Sequence, residues 1–131
     1  MAINYEVRFS NHPDDARQYG TERLRKEFLV EKLMVPGEIN LVYSMNDRFI
    51  VGGAVPDTEL ELTTIDPLKS THFCDRRELG IINVGGAAII RVDGTDFDLD
   101  FKDALYVGAG SKQILMISKE KANPAHLYFN S

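Results

Sequence analysis

The chain has 131 residues, 44% hydrophobic and 27% charged, which fits one domain (1–131) with enough length to bury a core. A net charge of -5 and a pI near 5.1 argue against a nucleic-acid-binding surface, and the longest basic cluster, Arg23-Leu24-Arg25-Lys26, is interleaved with acids. One cysteine, Cys74, excludes an internal disulfide framework, and neither a secretory leader nor an apolar run near the ~20 residues of a membrane span is visible, so a reducing cytoplasm is the expected compartment.

Residues 3–8 (INYEVR) alternate and predict a short edge strand. Pro13 followed by Asp14 and Asp15 predicts a short helix with acids at its positive end, closed by Gly20. Thr21 is positioned to cap a second helical stretch through TERLRKEF. The next segment, FLVEKLM (28–34), alternates and is read as a strand. Pro36-Gly37 marks a turn, and 39–45 (INLVYSM) is β-branched and aromatic, hence a strand. Asn46-Asp47 turns the chain into 48–55, where Gly52-Gly53 suggests a bulge or bend. Residues 59–65 (ELELTTI) put Leu60 and Leu62 on one strand face and Glu59 and Glu61 on the other, before a loop over 66–70.

The second half continues as strands. Residues 78–84 precede Gly85-Gly86. Residues 87–92 and 95–101 flank Asp93-Gly94, the strongest hairpin signal in the chain. Residues 104–107, 113–118 and 125–130 complete the series, with a turn at Gly108-Ala109-Gly110. About ten short strands with glycine turns predict an all-β sandwich, jelly roll or barrel.

The stretch from His72 to Gln113 resembles the two-part motif of the cupin β-barrels, many of which are metal enzymes. In the first part, His72-Phe73-Cys74 stands where H-x-H is expected, Glu78 follows after three residues, and Gly85 after six more. In the second, Lys102 and Gly108 replace a Gly and a Pro, Gly110 matches, and Gln113 replaces a His. H-x-H on a strand would aim both side chains into the barrel. The candidate inward set is therefore His72, Cys74, Glu78 and Gln113. A thiol and a neutral amide in place of imidazoles make it a poor transition-metal site, so these are read as vestigial positions that pack the barrel.

Other clusters carry less. Arg76-Arg77-Glu78 is a candidate substrate or interface group, through an arginine forking a carboxylate, with a surface ion-pair network as the alternative. Asp96, Asp98 and Asp100 read as a solvated strand face rather than a calcium loop. Gly108-Ala109-Gly110 lacks the following Lys-Ser/Thr of a phosphate loop. Cys74 reads as buried packing, and His12 and His126 as isolated surface or core histidines.

The segments FLVEKLMVPGEINLVYSMNDRFIVGGAVP, RRELGIINVGG, KDALYVGAGSKQ and NPAHLYFNS resemble the N-terminal half of the 5-keto-4-deoxyuronate isomerases, or 4-deoxy-L-threo-5-hexosulose-uronate ketol-isomerases. The resemblance runs from about Thr21 to Ser131. It implies a cupin-like jelly-roll barrel with one or two short N-terminal helical turns. It also implies a place in an enzyme that isomerises 5-keto-4-deoxyuronate to 3-deoxy-D-glycero-2,5-hexodiulosonate in pectin and uronate catabolism. Members of that family are about twice this length and hold zinc, through three His and one Glu, in a second barrel introduced by H-x-H-x4-E. That pattern does not occur here. The resemblance thus implies a structural, oligomer-supporting half that is inactive by itself, with no catalytic residue and no cofactor of its own. Its implied partners are a second cupin barrel, further copies of the enzyme and a small uronate substrate, with no nucleic acid and no membrane. The alternative is a stand-alone small cupin that binds a sugar acid or serves as an interaction module.

Overall fold

The computed structural model describes residues 3–131. Among these residues, ten strands form two sheets. The six-stranded sheet has the order β1-β2-β3-β10-β5-β8, built from β1 (Asn4–Arg8), β2 (Ile39–Ser44), β3 (Phe49–Ala54), β10 (Leu127–Asn130), β5 (Leu79–Asn83) and β8 (Ala104–Val107). The four-stranded sheet has the order β4-β9-β6-β7, built from β4 (Glu59–Glu61), β9 (Ile114–Ser118), β6 (Ala88–Val92) and β7 (Thr95–Leu99). All strand pairs are antiparallel except β1 with β2, whose parallel connection runs through α1 (Pro13–Ala16) and α2 (Thr21–Phe28). Asp93 and Gly94 both take positive φ, 49° and 86°, as a two-residue hairpin between β6 and β7 requires.

Alternate residues of both sheets point inward and close-pack. From the larger sheet come Leu41, Ile50, Ile81, Leu127 and Phe129; from the smaller come Leu60, Ile90, Ile114 and Met116. Phe73 inserts from a loop and meets Phe129 edge to face, with centroids 6.4 Å apart. Asn83 and Ser118 are the buried polar residues among those described, and both are satisfied. The Asn83 amide donates to the carbonyls of Gly86 and Leu99, and its oxygen accepts from the N–H of Gly85 and of His126. This one side chain ties the end of β5 to the start of β6, the end of β7 and the approach to β10.

Five local expectations change. The first helix ends at Ala16, capped by Arg17, and Gly20 is the N-cap of α2, so Thr21 is its first helical residue. Residues 29–34 form no strand; Leu33 crosses β3 at Gly53, and a Cβ on Gly53 would overlap its backbone. Gly52-Gly53 is accordingly no bulge. The β2–β3 and β3–β10 ladders run through both glycines without slipping, and the missing Cβ atoms make room for Phe129 and Leu33. The strand expected over 59–65 is a strand only at 59–61, with one further bond from the Leu62 N–H to the Ile114 carbonyl, although Leu60 and Leu62 are buried as the alternation predicts. Finally, His72 and Cys74 lie in a loop, not on a strand.

Candidate functional site

That loop, residues 69–78, builds the most chemically distinctive surface of the chain. Pro67 sits in a short 3-10 turn (Asp66–Leu68), and Lys69 leaves it in the left-handed region at φ 48°. Asp75 then clamps the loop. Its carboxylate accepts the N–H groups of Thr71 and His72, each at 3.0 Å, and meets the His72 ring at 3.1 Å. The backbone N–H of His72 foremost, then its ring and the Thr71 N–H, hold the Asp75 carboxyl below the usual carboxylate range. Phe73 and Cys74 turn into the core, and the Cys74 carbonyl accepts the Gly110 N–H at 2.6 Å. Burial pushes the Cys74 thiol up to about 11, so at neutral pH it is a packed thiol and not a nucleophile.

With 73 and 74 anchored inward, Arg76 is left exposed and Arg77 half-buried. Arg76 donates through Nη2 to the Leu68 carbonyl at 2.8 Å and more weakly to that of Lys69. Arg77 donates through Nη2 to the Arg48 carbonyl at 3.1 Å, and its guanidinium carbon lies 5.5 Å from the centroid of the Tyr43 ring. The Arg48 carbonyl is available because the β2–β3 turn places both Asp47 and Arg48 at positive φ. The Nη1 atom of Arg77 is buried and has no hydrogen-bond partner among the described residues. Around these groups runs an open cleft of about 690 Å³, lined by Arg48, Arg76 and Arg77 with Met45, Pro67 and Leu68 among its apolar neighbours.

The whole chain aligns with known enzymes. It is 52% identical over 132 aligned positions to 4-deoxy-L-threo-5-hexosulose-uronate ketol-isomerase 1 of Bacteroides thetaiotaomicron, covering 100% of this chain and 47% of that protein. It is also 52% identical over 132 positions to the ketol-isomerase of Formosa agariphila, with the same coverage. The chain is similar to the N-terminal half of these ketol-isomerases. It spans about half the length of the curated relatives it matches. No family model matches it. Among solved structures, the cupin domain of Schizosaccharomyces pombe Cnp3 superposes with a TM-score of 0.51 at 13% identity, over 70% of this chain and 57% of that one. This places the fold among the cupins, as the all-β jelly-roll expectation held.

The ketol-isomerase likeness raises zinc, and the residues here do not fit it. The expected inward quartet is not gathered. His72 is half-exposed on Asp75, and Cys74 is buried in the core. Glu78 is exposed and accepts the Tyr106 hydroxyl at 2.8 Å. Gln113 is exposed just before β9. Because the 72–74 segment loops instead of pairing, alternate side chains no longer share a face, and the spacing loses its metal-site meaning. Among the described residues, no three His, Cys, Asp or Glu side chains come together as a metal-holding group. The interior that a ligand set would occupy is filled by aliphatic and aromatic side chains.

The Arg76-Arg77-Glu78 cluster is split as well. Both arginines line the cleft, whereas Glu78 is not among its lining residues. Missing from the sequence reading are Arg48 and Tyr43. They lie 29 and 34 positions before Arg77 and meet it only because the β2–β3 turn folds under the 69–78 loop. The Asn46-Asp47 turn signal marked the turn, but nothing local tied it to Arg77. The acidic strand face reads as expected: Asp96 pairs with Arg91 and Asp98 with Lys119, all at the surface. Among the described residues, no helix is long and apolar enough to cross a membrane.

Proposed function

We propose that this chain is the non-catalytic half of a 4-deoxy-L-threo-5-hexosulose-uronate ketol-isomerase acting in uronate catabolism, a scaffold for a zinc-bearing second barrel and for an oligomer. Ketol isomerisation moves a proton between adjacent carbons, which requires a positioned acid–base group and something to polarise the carbonyl. The observation that carries the reading is the filled barrel interior. Its buried polar side chains, Asn83 and Ser118, are both committed to backbone groups. A substrate has neither room nor a proton acceptor there. The relatives' name and the share of their length that this chain spans support a second domain in the same protein.

The test is a turnover assay on the purified 131-residue chain with the 5-keto-4-deoxyuronate, together with metal analysis. The expected result is no turnover and no stoichiometric zinc. Turnover with a full zinc complement would sink the proposal.

A further inference from the structure

We propose that the cleft between the β2–β3 turn and the 69–78 loop binds the carboxylate of a small hydroxy acid, with Arg77 as its anchor. The arginine pairing across the molecule is the first support. Of the eight arginines in the sequence, Arg8, Arg17, Arg23, Arg25 and Arg91 each form an ion pair with a carboxylate of the chain. The remaining three, Arg48, Arg76 and Arg77, form none among the described residues, and all three line this one cleft. Asp47 is the single carboxylate in the lining and pairs with none of them. In a chain of net charge -5, three unpaired guanidiniums in one concavity make a local positive field that attracts an anion.

The second support is the state of Arg77 itself. Carbonyl and ring contacts hold its guanidinium in place, while the buried Nη1 lacks an acceptor. Buried donors are nearly always paired, and a shift of the Arg77 side chain, required because Nη1 has no accessible surface, would bring it to a carboxylate held in the cleft. Arg76, held by the Leu68 carbonyl, leaves its other donors for the same anion. Size and lining set the ligand class: about 690 Å³ falls within the range of small-molecule sites, Met45, Pro67 and Leu68 offer an apolar wall for a carbon skeleton, and Asp47 and Ser70 offer oxygens to hydroxyl groups. Among the described residues no metal-holding group forms, and the Cys74 thiol near Arg77 is buried and pushed up to about 11, so this is a binding site and not an active site. It goes beyond the scaffold reading and stands apart from it. Turnover by the chain alone would overturn the scaffold and leave the cleft, whereas absent binding would leave the scaffold untouched.

The experiment is calorimetric titration of the 131-residue chain at low salt with galacturonate, with galactose as the neutral control and a capped glutamyl dipeptide to represent a protein carboxylate. Saturable one-site binding of galacturonate is expected, with galactose and the dipeptide at least about tenfold weaker, since the charge-assisted fork and the sugar skeleton both contribute. Arg77→Met should abolish binding. Arg76→Gln, at an exposed position, should weaken it about three- to tenfold with unchanged circular dichroism, and it decides the matter if Arg77→Met fails to fold. No saturable heat with galacturonate, equal binding of galactose, or an Arg76→Gln variant that binds as tightly as the parent would overturn the site. A dipeptide that binds as tightly as galacturonate would overturn the small hydroxy acid as its ligand.

Discussion

Phe129 lies directly across the ladder from Gly52, and its ring occupies the volume that a side chain at position 52 would need. The glycine is therefore a packing residue, with the aromatic ring covering the backbone that it leaves bare. Gly52→Ala should overpack the junction of β3 and β10 and destabilise the chain by about 1–3 kcal/mol. Urea denaturation followed by circular dichroism measures this. A variant as stable as the parent would show that Phe129 moves aside freely.

Asn83 is the second structural pivot. Its side chain makes four hydrogen bonds to backbone groups, two of them buried and two part-buried. Asn83→Ala leaves buried carbonyls and N–H groups without partners and should cost about 2–4 kcal/mol. The loss should appear in hydrogen exchange as early opening of the amides at 84–86 and 126. Uniform loss of protection across both sheets would instead mark Asn83 as a global determinant.

Asp75 gives the stability a pH dependence whose sign follows from its direction of shift. Its carboxyl is held below the ordinary range in the fold, first by the His72 N–H. The charged form is thus favoured in the native state. That contribution is complete above the unfolded value of about 4 and disappears as pH falls through the lower folded value. Asp75→Asn should be less stable than the parent at neutral pH, and the gap should narrow steadily below about pH 4. Urea titrations at a series of pH values test this, and a gap that stays constant with pH would refute it.

Cys74 should behave as packing. Its thiol is pushed up to about 11 by burial, so little thiolate exists at pH 8 and no reagent reaches it without opening of the fold. Labelling with an aromatic disulfide reagent should be at least about a hundredfold slower in the native chain than in urea. Fast native labelling would show that the 69–78 loop opens readily.

The sequence by itself determined the β architecture, because its signals are local. Alternation at Leu60 and Leu62, the Asp93-Gly94 pair and the β-branched run at 39–45 each act within a few residues, and each stands where expected. It also pointed to the ketol-isomerase likeness and to Arg76 and Arg77. Tertiary structure decided everything that depended on distant partners. FLVEKLM alternates like a strand, but backbone pairing needs a free edge, and Leu33 meets the surface of Gly53 instead. His72 and Cys74 have the spacing of a metal pair, yet the Asp75 clamp coils their segment into a loop, so spacing ceased to define a face. Arg77 acquired its surroundings only when the β2–β3 turn, 29 residues away, brought the Arg48 carbonyl and the Tyr43 ring beneath it. Hydrogen bonds and burial of that kind are set by which surfaces meet, and a residue's chain neighbours do not encode them.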